Sequence, residues 1–314
     1  MLSLFKKNSF FNSMMLLVYA TILNIIPSLA RPAQSDIFGL KGITATIIHI
    51  LVLFIQAAFI NRMIIENRLH RDIMLYPGVF FILFSSLLPA HWNFSHIHIA
   101  NFFIIWGIFE LFHIYKTTNP AVHIFNASFL VGIASLFCSP MIFFLFLLFI
   151  GITNLKKMEL VHPIQIAVGG GVPWFLYITY KVWKGNEGEI IDAFLPHFGT
   201  TFFSFKGGTM NTVFLILFAL VTFFLFLSYN EVRKKKHIQA QKKVDILYLS
   251  LITSILVMVF HGDPGGLIFM MPFIGIFVGL LVSHITNTSI SEMIHLFLFI
   301  GVLVIQILSL FKIV

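Results

Sequence analysis

Histidines and acids that could do chemistry gather in a few places along this sequence. His91, Asn93, His96 and His98 fall in the string His91-Trp92-Asn93-Phe94-Ser95-His96-Ile97-His98, His261 and Asp263 open the string His261-Gly262-Asp263-Pro264-Gly265-Gly266, and Asp36 sits between two apolar runs. Imidazole is a common ligand for zinc, copper and iron. On a helix, however, His96 and His98 would stand about 200° apart and could not share an ion. An extended turn could bring them together, with further ligands from His261, Asp263 or Asp36. Interfacial histidines beside Trp92, with no metal, are the simpler expectation. The second string is a turn by composition. Since an Asp is not needed to build it, a general base or a head-group ligand at His261 or Asp263 stays open.

Other polar residues have plainer readings. Asn101 lies just inside an apolar run, while Glu110, His113 and Lys116 follow helical spacing at the end of that run, which is ordinary helix-end chemistry. Gly169, Gly170, Gly171 and Pro173 fit either close helix packing, the favoured reading, or an unwound substrate site. Phosphate-binding loops, dinucleotide fingerprints, nucleophile elbows and zinc-protease motifs are all absent from the sequence. The lone Cys138 excludes an intramolecular disulfide and any cysteine-rich metal site. No cofactor is called for.

The elements that must position these residues are membrane helices. Of 314 residues, 59% are hydrophobic and 10% charged, and the mean hydropathy of +0.97 leaves too little polar surface to cover a water-soluble fold. The expected architecture is therefore all-α, a polytopic transmembrane helix bundle forming one integral membrane domain over 1–314. Eleven apolar runs give the spans Phe10 to Ala30, Gly42 to Ile60, Ile73 to Leu88, Ile97 to Phe112, Val122 to Phe137, Met141 to Thr153, Ile164 to Val182, Met210 to Tyr229, Asp245 to Phe260, Leu267 to Val282 and Met293 to Leu310. The pair around Ser139 and Pro140 could instead form a re-entrant hairpin. Lys6, Lys7 and Ser28-Leu29-Ala30 resemble a secretory signal, but the length of the run and Pro32 favour a retained span.

With the N-terminus inside, 14 of the 20 Lys and Arg residues fall on the cytoplasmic side and 6 on the other, as the positive-inside rule requires. The net charge of +8 then needs no nucleic acid partner. This orientation puts Val314, Asp36 and Asp263 outside, together with an outer loop of about 183–209, and puts a basic loop of about 230–243 inside. In the outer loop Ile190, Ile191, Phe194, Leu195 and Phe198 recur at helical spacing against Glu187, Glu189 and Asp192, the pattern of a short helix lying in the membrane surface.

The stretch from Arg71-Asp72 through Ile99-Ala100-Asn101-Phe102-Phe103 and Phe125-Asn126-Ala127-Ser128-Phe129-Leu130-Val131-Gly132-Ile133-Ala134-Ser135-Leu136-Phe137 to Pro140 resembles a family of uncharacterised polytopic inner-membrane proteins of Bacteroidota-type envelopes. That resemblance implies location and topology, a multi-pass protein of the bacterial inner membrane. A weaker likeness runs to the GT-C superfamily of lipid-linked sugar transferases, which take a sugar from a polyprenyl phosphate on the outer face. It implies that Asp36, in the first outer loop, acts as the catalytic base, although residues 31–41 are shorter than the usual loop and hold one acid. Arg31 and Lys184 would hold the donor phosphate, and His91, Asn93 and Asn101 would line the sugar site.

The expectations are thus a protein of envelope biogenesis that acts as a GT-C-like glycosyltransferase or, alternatively, as a non-catalytic scaffold or accessory subunit of a secretion or motility complex. A transporter is a third reading, weakened by the lack of repeats and of ionisable residues at mid-membrane. The expected partners are the lipid bilayer, a polyprenyl-phosphate sugar donor and an envelope protein complex.

Overall fold

The computed structural model describes residues 2–7, 9–30, 42–115, 117–186, 188, 209–234, 236–262 and 264–310. Every regular element among them is helical. In chain order these are α1 (Phe10–Ala30), α2 (Ile43–Glu66), α3 (Tyr76–Ser85), α4 (His96–His113), α5 (Ala121–Phe137), α6 (Phe144–Leu155), α7 (Val161–Trp183), α8 (Thr209–Leu227), α9 (Tyr229–Lys234), α10 (Ile238–His261), α11 (Met271–Ser283) and α12 (Thr288–Leu310), with short 3-10 turns between some of them. Each of the eleven apolar runs holds a helix. By length and composition α1, α2, α10 and α12 can cross a membrane, which makes this a membrane protein. The ten residues of α3 reach only about 15 Å at 1.5 Å per residue, half of a hydrocarbon core about 30 Å thick.

The chain divides into two compact units. Unit 1 comprises residues 1–95, 207–236 and 270–314. Its centre is α3, all ten residues of which are buried. Glycines let α11 lie against it: a Cβ on Gly279 would stand 2.7 Å from the nitrogen of Pro77, closer than real Cβ atoms come. On α2, Asn61 is buried and its Oδ1 accepts the Gly78 N–H at 2.8 Å, so the helix continues to Glu66, beyond the expected end at Ile60. Ser86, just past α3, gathers three helices and a turn. Its carbonyl accepts from Gln306 Nε2 at 3.0 Å and from Trp92 Nε1 at 3.0 Å, while its hydroxyl accepts from Asn24 Nδ2 at 3.2 Å. Gln306 also donates to the Leu23 carbonyl at 2.8 Å.

Unit 2 comprises residues 96–206 and 237–269, with α5 between α4 and α7. Gly107 of α4 faces the Ala127 carbonyl, so the end of α4 comes level with the start of α5. Against α7 the register rises along both helices: Ser128 meets Gly169, Gly132 meets Gly170 and Pro173, and the Trp174 Nε1–H donates to Ser135 Oγ at 2.7 Å. Thus α4 and α5 are antiparallel, α5 and α7 parallel, and α6 brings the chain back between them. Gly169 and Gly170 serve this packing, whereas Gly171 has open space around it. Despite Pro173, α7 is one continuous helix, as the packing reading anticipated.

The expected inner loop of 230–243 is mostly helical, since α9 and the first turns of α10 occupy it. Ala240 and Val244 are buried there, which extends α10 seven residues ahead of the expected start at Asp245. At its other end α10 stops at Gly262, whose φ of 72° is left-handed, a conformation glycine adopts without steric cost.

Candidate functional site

Arg31, Asp36 and Asp263 lie outside the described residues, as does nearly all of the segment expected to form a surface helix in the outer loop. In unit 1, His91 closes the 3-10 turn Pro89–His91 and is 1% exposed, whereas Asn93 is exposed. In unit 2, Lys184 follows α7 at the surface, its Nζ 5.9 Å from the centre of the Tyr180 ring. Asn101 is buried and its Nδ2 donates to the Ile268 carbonyl at 3.4 Å. His261 lies edge-on to Phe269, with ring centres 5.7 Å apart, and its Nδ1 is 3.7 Å from the Cys138 sulfur. Asn101 and His261 therefore meet the same turn, Pro264–Phe269, through its backbone and a ring.

A second polar cluster in unit 2 was not anticipated. Glu110 and His113 sit three residues apart near the end of α4, a spacing that puts both on one side of the helix. His123 comes to them from the first turn of α5 because the two helices run antiparallel across a seven-residue connection. Its Nδ1 lies 2.9 Å from Glu110 Oε2. The His113 and His123 rings stack with centres 5.3 Å apart and 23° between their planes, while Phe109 meets the His113 ring at 4.7 Å. One ligand atom from each of Glu110, His113 and His123 lies within 4.8 Å of the others. Helical spacing alone gave Glu110 and His113 as neighbours. A histidine in the first turn after a short connection was the signal that could have completed the set.

Unit 1 carries its own polar edge. A cleft of about 500 Å³ is lined by Asn230, Glu231, Lys234, Leu281, His284 and Ile285. Nearby, the His70 and His284 rings are 5.3 Å apart, His70 Nδ1 accepts the Asp72 N–H at 3.1 Å, and Lys236 Nζ donates to the Leu69 carbonyl. Burial pushes the Lys236 ammonium down to about 8. His70 is also held below its ordinary value, by burial first and by the charge of Lys236, against the opposing pull of the Asp72 backbone and carboxylate. Among described residues, the exposed ion pair of Arg62 and Glu66 at 2.6 Å marks the end of α2.

One cluster thus presents a carboxylate and two imidazoles, the other a glutamate, a lysine and a histidine around a cleft. Comparison with protein-family models, with curated proteins and with solved structures gives no match to this chain.

Proposed function

We infer that this membrane protein belongs to a bacterial inner membrane, with its N-terminus in the cytoplasm and Val314 outside, and that it serves cell-envelope biogenesis as a non-catalytic helical subunit of a secretion or motility complex. The observation that carries this reading is the use to which Asn101 is put. The sugar-site candidate set within an apolar run donates its amide to the Ile268 carbonyl inside unit 2, which makes it a packing group. Large apolar side chains on the helix surfaces, such as Phe146, Phe175 and Phe297, offer faces for lipid or for partner helices.

Sugar transfer from a polyprenyl phosphate is the rival account, with Asp36 as base and Arg31 and Lys184 on the phosphate. The two separate on Asp36→Asn. Loss of a general base commonly costs on the order of 10² to 10⁴ in rate, whereas replacing a loop acid should shift stability by no more than about 0.5 kcal/mol. The subunit reading expects normal envelope function from Asp36→Asn at wild-type abundance. Lost function at unchanged abundance would replace it with the transferase. Orientation is read by single cysteines at positions 36, 187, 156 and 235 in a Cys138→Ala background: an impermeant thiol reagent should label the first two from outside, and labelling of 156 or 235 instead would invert the topology.

A further inference from the structure

The cluster of Glu110, His113 and His123 has a donor set suited to a metal ion, and that reading stands independently of the proposed function. Two imidazoles and one carboxylate are the three-ligand set of open zinc sites, whose fourth position takes water. Bonds of about 2.0–2.1 Å to a tetrahedral ion place donor atoms about 3.3 Å apart. The observed pair at 2.9 Å and the outer limit of 4.8 Å straddle that value, so rotations of the side chains suffice to seat an ion. Calcium and magnesium call for six or more oxygen ligands, mostly from carboxylates, carbonyls and water. Two imidazoles select a first-row transition ion instead.

A further observation separates this site from a plain hydrogen bond between Glu110 and His123. His113 Nδ1 is shut off from solvent and makes no hydrogen bond. An unsatisfied buried polar atom is an unfavourable state. An ion held among the three side chains would take one ring nitrogen of His113 as a ligand. The site is also reachable, since the Glu110 and His123 side chains are 18% and 32% exposed. Among the described residues, three neighbouring lysines are engaged elsewhere. Lys156 donates to the Thr117 carbonyl at 3.3 Å, Lys242 lies over Tyr115, and Lys243 lies over Phe112, which leaves α4 away from the side bearing Glu110 and His113.

We propose that Glu110, His113 and His123 form a three-ligand site for a first-row divalent cation, Zn²⁺ foremost, which pins the end of α4 to the start of α5. The test uses the full-length chain in detergent, with any affinity tag removed and metals stripped by chelator. Titration with Zn²⁺ should show one tight equivalent per chain that raises the melting temperature, and Co²⁺ in its place should give the visible absorption of a tetrahedral site. His113→Ala and the near-isosteric Glu110→Gln should each weaken that equivalent by about 100-fold or more, since loss of a mere supporting contact to a ligand already costs roughly 10- to 100-fold. His284→Ala, in unit 1, should leave it unchanged. Absence of the tight equivalent in the wild-type chain overturns the proposal. So does its undiminished persistence in a folded Glu110→Gln or His113→Ala, or its loss in His284→Ala.

Discussion

Gly275 of α11 lies on the backbone of Phe81 in α3: a Cβ built on the glycine would stand 2.6 Å from the Phe81 nitrogen and 2.7 Å from its Cα. Backbone cannot swing aside as a flexible side chain can. Gly275→Ala must push the two helices apart, and overfilling a packed site of this kind costs about 1–3 kcal/mol. Unfolding in mixed detergent micelles would measure it, with wild-type stability in Gly275→Ala as the contrary result.

The glycines of α7 make a graded series. Gly170 faces Leu145 side-chain carbons at 3.0 Å, and Gly171 has nothing within 4 Å. Across the interface, Gly132 faces the Gly170 carbonyl at 2.6 Å. Gly132→Ala should destabilise unit 2 most and Gly170→Ala less. Gly171→Ala should be neutral or stabilising by up to about 1 kcal/mol through helix propensity. Thermal melts of the three variants would rank them, and an equal loss in all three would contradict the packing assigned to α5 and α7.

Gln306 donates to two carbonyls, those of Leu23 and Ser86. Gln306→Leu keeps the approximate volume and removes both bonds, leaving the Leu23 carbonyl in need of another donor. Polar contacts between membrane helices are worth about 0.6 kcal/mol on average and up to about 2, so a loss of about 1–2 kcal/mol is expected. A variant as stable as the wild type would show that the two bonds add nothing net.

Stability should climb with pH on both sides of neutrality because of His70 and Lys236. Burial lowers the His70 value, so the unfolded chain takes up a proton first as pH falls through roughly 6.5, and the folded state loses ground. Lys236 drops from 10.5 to about 8. Between these values the unfolded chain holds the proton that the folded chain has released, so stability rises as pH climbs from about 8 toward 10. Melting temperatures across pH should show both limbs. Lys236→Met should weaken the alkaline limb and soften the acid one, because its charge adds to the depression at His70. An unaltered alkaline limb in that variant would remove Lys236 as its source.

The positions of the helices were legible because apolar runs are a local property, and the ends were less so. Hydropathy stops at Asn61, but the helix does not, since that side chain bonds to Gly78 inside unit 1. Similarly, the polar start of α10 is covered through Ala240 and Val244. The site was harder to read. Glu110 and His113 share one helix and show in its periodicity, whereas His123 joins them only through the antiparallel register of α4 and α5. The three donors converging on Ser86 come from positions 24, 92 and 306, and no window along the chain contains them together.

The composition of unit 1 from three separated stretches sets an order of events at the ribosome. Phe81 is made 194 residues before Gly275, and at roughly 5–20 residues per second that gap lasts about 10–40 s. Throughout it, α3 is too short to span the bilayer alone and lacks the helix that will cover it. Newly made chain in that interval depends on whatever insertion machinery can shelter a ten-residue apolar helix, and truncation anywhere before Met271 would leave α3 without its partner.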